Sequence, residues 1–400
     1  MKRVVMKFGG SSVETIEKMQ LIAKRIVLKR SEGYEVCVVV SAMGKTTNSL
    51  IQLAKQASTS PNKRELDSLL ATGEQVSISL LSMILQEMNQ KAIGLTGFQA
   101  GIKTSGLHTN NRIEDIDVSL IEKYLNDSHV VVVAGFQGLN AAGDITTLGR
   151  GGSDTTAIAL AAKLECACEI YTDVLGIYGV DPRLYPQAKK LYSISYEEMK
   201  EMAFLGAKVM EPRSIDIAHR YRVPLLVAHA HEDQTGTLIQ EEDPMEHRPI
   251  TGCSVSEKIV LVNIQHLPAS LTLIAHLFVT LANEGVNIDM ISQTQGSDGF
   301  VTLAFTASAD DLDNLEAVLG FLTHDEPDAI IHIDKHVVKV SVVGSGMRTQ
   351  SGVAAQLFQL FADHGIVYKL ITTSEISISY TMSKDHQHQA VQLIAKAFDL

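Results

Sequence analysis

The feature that most restricts the fold is a pattern in the last third of the chain that recurs at one fixed spacing. Leu277, Phe278, Ala282, Gly285 and Ile291 return as Leu357, Phe358, Ala362, Gly365 and Ile371, each of these five positions 80 residues after its counterpart. Five matches at one offset, all inside a helix–turn–strand pattern, mark a structural repeat. The first copy reads as strand 259–264, helix 271–284, strands 286–293 and 300–306, helix 310–322 and strand 328–334, a βαββαβ unit of ferredoxin-like type. The second copy reads as strand 337–343, helix 351–364, strands 366–372 and 375–382, and helix 385–398. Its fourth strand is missing. The unassigned apolar segment 250–255 precedes the first copy, and we expect it to complete the second sheet. The units are therefore expected at 259–335 and at 250–258 plus 336–400.

Residues 1–240 follow a different rhythm. Apolar runs at 4–8, 35–40, 130–134, 169–173 and 225–228 alternate with helical patterns at 13–29, 66–88 and 154–164. Glu35 is followed by Val36, Cys37, Val38, Val39 and Val40, the near-continuous apolar run of a strand covered on both faces. Alternating β and α units predict an α/β sandwich around a mainly parallel sheet. The charged, proline-bearing stretch 241–249 reads as the linker.

Composition excludes several functions. Of 400 residues, 34 are Lys or Arg and 46 are Asp or Glu, a net charge of −12 that argues against a nucleic-acid face. No apolar run approaches the ~18 residues of a membrane span. Four cysteines, Cys37, Cys166, Cys168 and Cys253, are too few and too uneven for a disulfide framework. A cytoplasmic protein is expected. The 14 histidines show no metal-ligand spacing.

Chemistry is suggested by several loops. Lys7-Phe8-Gly9-Gly10-Ser11-Ser12 lies between the first strand and the first helix. Glycines there let backbone N–H groups approach a phosphate, and Lys7 adds a charge; an ordinary strand-closing turn has the same composition. Gly44-Lys45-Thr46 resembles the end of a P-loop, but the required first glycine is Val39, so the pattern fails. Ser41 and Thr47 nevertheless stand where open α/β sheets bind ligands. Gly149-Arg150-Gly151-Gly152-Ser153-Asp154 frames an arginine with glycines, which suits a carboxylate or phosphate, while Ser153 or Asp154 is also a fitting helix cap. Glu74, a solvated helix residue or a ligand, would complement Arg150 in holding an amino-acid zwitterion. Two lysines, Lys7 and Lys208, fit phosphoryl transfer, where charge neutralisation and positioning dominate.

Taken together, Lys7 to Ser12, Val40 to Gly44, Thr72-Gly73-Glu74, the loop 149–154, Thr172-Asp173 and the duplicated C-terminal unit resemble aspartate kinase (aspartokinase) over essentially the whole chain, most closely the lysine-sensitive, monofunctional bacterial type. The resemblance implies an amino-acid-kinase α/β sandwich followed by two ACT units. It implies ATP-dependent phosphorylation of the L-aspartate side chain to 4-phospho-L-aspartate, the entry to lysine, threonine and methionine synthesis. It implies that Lys7 and Asp154 support transfer. Ser41, Thr47, Glu74, Arg150 and Ser153 would surround aspartate, and Lys7, Gly9, Gly10, Thr172, Asp173, Tyr178, Arg183 and Lys208 would surround ATP. Mg2+ would be held chiefly by the ATP phosphates. An effector amino acid, lysine first and threonine second, would bind at Asn287, Ile288 and Asp289, and the ACT units would join chains into a homo-oligomer. Departures are Ser11 where Thr is common, Glu211 where His is common, and Pro268-Ala269-Ser270 and Ile366-Val367-Tyr368 within the repeats. A kinase for another acidic amino acid is disfavoured by the tandem ACT units and the Glu74/Arg150 pair. A silent amino-acid sensor predicts loss of Lys7 or Asp154, and both are present.

Overall fold

The computed structural model describes residues 2–241, 248–296 and 299–400. Most of the expected linker, 242–247, lies outside the described residues. Two compact units are formed, and neither follows the chain continuously. The first comprises residues 2–177, 190–204 and 208–241; the second comprises 178–189, 205–207 and the chain from 248 onward. This differs from a boundary at 240, because segments 178–189 and 205–207 pack with the second unit.

The first unit is built on an eight-stranded sheet in the order Ser193–Ser195, Thr237–Gln240, Leu225–His229, Ala167–Thr172, Lys2–Phe8, Tyr34–Val40, Val130–Ala134, Ala92–Leu95. All neighbours are parallel except Leu225–His229 with Thr237–Gln240. Val36 to Val40 and Val130 to Ala134 are buried throughout, as strands covered on both faces must be. Helix Ile16–Ser31 starts at Thr15, whose side chain accepts from the Lys18 N–H, and ends with Lys29 and Arg30 at its negative pole. Its Ile22 and Ile26 join Leu81 and Leu85 of helix Thr72–Glu87 over one sheet face. Helix Gly152–Lys163 packs on the strands Lys2–Phe8 and Tyr34–Val40.

The expected helix 66–88 is two helices, Lys63–Leu70 and Thr72–Glu87, meeting at Ala71. By length and composition alone the joined stretch could cross a membrane, as the core helix of a soluble protein also can. It is nonetheless a core element: it buries Asp67 and Glu74 along with Ile78, Leu81 and Leu85. A second, four-stranded sheet, Asn110–Ile116, Ile102–Leu107, Gln137–Leu139, Ile145–Thr147, was not expected. Its strands are short and mostly polar, so no apolar alternation betrays them.

The second unit holds two four-stranded antiparallel sheets with helices on one face. The first repeat has the order Ile288–Gln295, Phe300–Ser308, Ile259–Pro268, Ile330–Asp334. The other sheet has the order Gly252–Ser256, Val337–Val343, Ser377–Ser383, Tyr368–Thr373. The strand that precedes the first repeat thus pairs inside the second, with Cys253 opposite Val342 and Val255 opposite Val340. The two sheets meet through Ile259, Leu261 and Met290 against Val337 and Leu370. Two ion pairs, Lys339 with Asp289 and Lys369 with Asp334, link the two repeats. Segment 178–189 joins this unit: Val180 bridges to Cys253, and the Cys253 N–H donates to Gly179 O at 2.7 Å.

Candidate active site

The site of the first unit lies at the carboxyl ends of the central parallel strands, beside Lys2–Phe8, where the order reverses from Tyr34–Val40 on one side to Ala167–Thr172 on the other. Lys7 is the penultimate residue of the central strand. Its side chain is only 9% exposed, and its ammonium sits 2.6 Å from Asp154 Oδ1. Asp154 lies in the first turn of helix Gly152–Lys163, whose N-cap is Gly151 with no side-chain cap. The capping role open to Ser153 and Asp154 is therefore not used. Asp154 faces Lys7, and Ser153 Oγ lies 2.8 Å from Ser41 Oγ. The unsatisfied N–H groups and dipole of that helix face the same region and favour an anion.

Glycines set the backbone around these groups. A Cβ on Gly10 would lie 2.9 Å from Ala42 O, so only glycine lets the two loops touch. The Gly44 N–H donates to Gly10 O at 2.9 Å and fixes that approach. Gly151 has φ +62, and a Cβ there would stand 2.4 Å from the Glu211 Cβ.

Glu74 is 2% exposed. Its Oε1 accepts from the Ala42 N–H at 3.1 Å, while its Oε2 is buried with no partner. Loss of hydration pushes its pKa up to about 7, with the backbone N–H groups and Gln137 pulling the other way. Gln137 is itself fully buried, donates to Ala71 O at 2.8 Å and accepts from the Gly97 N–H. Sequence reasoning missed Gln137, because a lone glutamine in a three-residue strand carries no pattern.

Arg150 is exposed and forms no hydrogen bond or ion pair among the described residues. Glu211 is its electrostatic neighbour and also feels Asp154 and Arg213; burial raises its pKa, with Arg150 opposing. Glu211 therefore stands beside the arginine loop. Thr47 is half-buried, the second residue of helix Thr46–Ala57.

The residues assigned to ATP are only partly gathered. Gly9 donates its N–H to Tyr171 O at 3.3 Å, so it lies next to Thr172. Thr172 donates its hydroxyl to Asp173 at 3.1 Å. Lys208 is exposed in the loop before helix Pro212–Tyr221. Tyr178 and Arg183 lie in the segment that belongs to the second unit, where the Arg183 guanidinium grips Asp181 at 2.6 Å. Of the effector residues, Asn287 is exposed and Ile288 begins a strand, while Asp289 is held by the buried Lys339. Among the described residues no group of three or more acidic, histidine or cysteine side chains could cage a metal ion.

A lysine on a central strand, a glycine turn and a helix N-terminus are the parts with which a protein holds a transferring phosphate. The profile of the amino acid kinase family matches residues 2–229, and that of the ACT domain matches 340–398. Aspartokinase 2 of Bacillus subtilis (strain 168) is 47% identical, with 99% of this chain and 98% of that protein covered. Aspartokinase of Geobacillus stearothermophilus is 45% identical over 99% of this chain and 97% of its own length. Among solved structures, E. coli aspartokinase III in complex with aspartate and ADP (R-state) superposes with TM-score 0.82 at 24% identity, each chain fully covered. The chain belongs to the aspartokinases of the amino acid kinase family.

Proposed function

We propose that this chain transfers the γ-phosphoryl group of ATP to the side-chain carboxylate of L-aspartate, giving 4-phospho-L-aspartate, under control of an amino acid bound at its ACT units. The observation that carries the substrate is the buried, partnerless Glu74 Oε2. A buried acceptor left unmet is costly, and an α-ammonium group supplies what it lacks. Arg150 offers the matching fork for the α-carboxylate. Ser41, Thr47 and Ser153 then surround the reacting carboxylate.

That carboxylate is already an anion, so the reaction needs relief of repulsion rather than a general base. Lys7 supplies it, kept in place by Asp154. The contact of Gly10 with Ala42, which a Cβ would fill, opens backbone N–H groups to phosphate, and this fits a nucleotide. Thr172, Asp173, Tyr178, Arg183 and Lys208 are the further ATP contacts of this proposal. Mg2+ carried on the phosphates would neutralise their charge.

Regulation is assigned to lysine, with threonine second, at Asn287, Ile288 and Asp289. An amide and a carboxylate at a strand start suit an ammonium group. Chains would associate through the ACT units. All four cysteines are free, which suits the reducing cytoplasm. A coupled assay with ATP and L-aspartate, L-glutamate and other acidic amino acids tests the substrate, repeated with lysine and threonine for the effector. Turnover with aspartate is expected; turnover with glutamate alone, or none at all, overturns the proposal.

A further inference from the structure

Among the described residues of the first unit, Asp67 is the one carboxylate with no exposed surface, followed by Glu74, Glu198 and Glu169. It belongs to helix Lys63–Leu70. A buried charge persists only when it is fully solvated by the protein. Here the donors are His108 Nδ1 at 2.7 Å, the Thr109 N–H at 3.1 Å to both oxygens, and Thr147 Oγ1 at 2.5 Å. Among the described residues no lysine or arginine pairs with it. All four bonds go to two places: the turn of the hairpin Ile102–Leu107 and Asn110–Ile116, and the last residue of strand Ile145–Thr147.

Those places flank the loop that carries Arg150. Thr147 is followed by Leu148 and Gly149. Gly149 has φ +77, and a Cβ on it would lie 3.1 Å from Asn110 Oδ1 and 3.3 Å from Thr109 O, so the hairpin turn lies directly against it. Arg213 closes the other side, donating to Leu148 O at 3.2 Å and Asn111 O at 2.9 Å. The backbone leading to Arg150 is thus clamped between Asp67 and Arg213, while the Arg150 side chain stays free. Asp67 also precedes Glu74 by only seven residues across the Ala71 junction. One segment therefore bears the ammonium partner and anchors the carboxylate partner.

We propose that Asp67 is a positioning residue that fixes the distance between Arg150 and Glu74, and so selects the length of the zwitterion bound. This rests on the assignment of Arg150 and Glu74 to the substrate. A small displacement of a binding group costs up to about 100-fold in rate or affinity. Asp67→Asn is expected to raise KM for aspartate at least tenfold, with KM for ATP within about twofold of wild type. Thr147→Val, which removes one donor and leaves Asp67 in place, should act in the same direction more weakly, and Thr147→Ser should restore the wild-type value. In the double variant Asp67→Asn/Arg150→Ala, the loss should be no greater than in Arg150→Ala alone. Full additivity, or equal changes in both KM values, overturns the positioning role. Where Asp67→Asn fails to fold, the Thr147→Val and Thr147→Ser pair decides by the same criterion. If Arg150→Ala itself leaves KM for aspartate unchanged, the substrate assignment fails, and that result is distinct from failure of the clamp.

Discussion

The two ends of the proposed site handle charge in opposite ways. At the phosphate end Lys7 and Asp154 are paired at 2.6 Å and nearly buried, so the cation is held in place before anything binds. At the proposed amino-acid end Glu74 Oε2 and Arg150 have no hydrogen-bond or ion-pair partner among the described residues. A prepaired charge is rigid and positioned; an unpaired one is a standing deficit that only the right ligand fills. On the proposed assignment the first arrangement would serve a developing transition state, and the second would discriminate among ground-state ligands.

The largest effect should follow from breaking the paired end. Lys7→Ala is expected to lower kcat by about 10³-fold, as loss of a preorganised cation does. Because it strands a nearly buried carboxylate, it should also lower Tm. Lys7→Ala/Asp154→Ala should regain stability but not turnover, measured by thermal melts beside the coupled assay. A folded Lys7→Ala enzyme with near-normal turnover would remove the contrast between the two ends.

Next, Arg150→Ala should raise KM for aspartate about 100-fold, the worth of a charge-assisted bond, and change KM for ATP little. Equal losses would place Arg150 on phosphate instead.

The third test uses pH. Glu74 keeps its proton until about pH 7, and the protonated acid is a poor partner for an ammonium group. KM for aspartate should therefore fall about tenfold as pH rises from 6 to 8, and binding near pH 7 should release a proton, read by calorimetry in two buffers of different ionisation enthalpy. Glu74→Gln should flatten the profile. The sign for stability is the opposite. Between about 4.5 and 7 the unfolded chain has lost a proton that the folded chain keeps, so this group's contribution declines as pH rises.

The smallest effect concerns the ACT units, where Asp289 is of the paired kind. Asp289→Ala should weaken inhibition by lysine a few-fold, to an extent set by loss of one hydrogen bond, with uninhibited turnover unchanged. Lys339→Met removes the same ion pair but keeps Asp289. Inhibition titrations of both variants at fixed aspartate separate an effector contact from a structural pair: only Asp289→Ala should weaken inhibition if Asp289 touches the effector.

The parts of this molecule legible in the sequence are those written in periodicity and glycine. The run Val36 to Val40 announced a strand buried on both faces, and the recurrence from Leu277 to Leu357 announced a second unit one strand short. Gly10 and Gly151 marked places where the backbone is closely approached, by Ala42 and by Glu211. Contacts between distant polar residues left no such trace. Asp67, Thr109 and Thr147 are 42 and 80 positions apart along the chain, and nothing local in a short polar strand says that it ends on a carboxylate. In the sequence Glu211 stands out only as a departure from the aspartokinase pattern. Only the fold places its side chain over Gly151, beside Arg150.

The excursion 178–189 makes the obvious cutting site a poor one. Val180 lies in the core of the second repeat with Ile250, Cys253 and Leu400, and Leu184, Tyr185 and Ala188 pack against that core. A catalytic fragment ending at residue 241 would keep these side chains and lose their bed, leaving an apolar loop prone to stick to other chains. A regulatory fragment beginning at 248 would keep strand Gly252–Ser256 at the edge of its sheet, with the Cys253 N–H deprived of Gly179 O. Evolution or an engineer wishing to express the two halves from separate genes must therefore supply a substitute for twelve residues that belong to one half by order in the chain and to the other by packing.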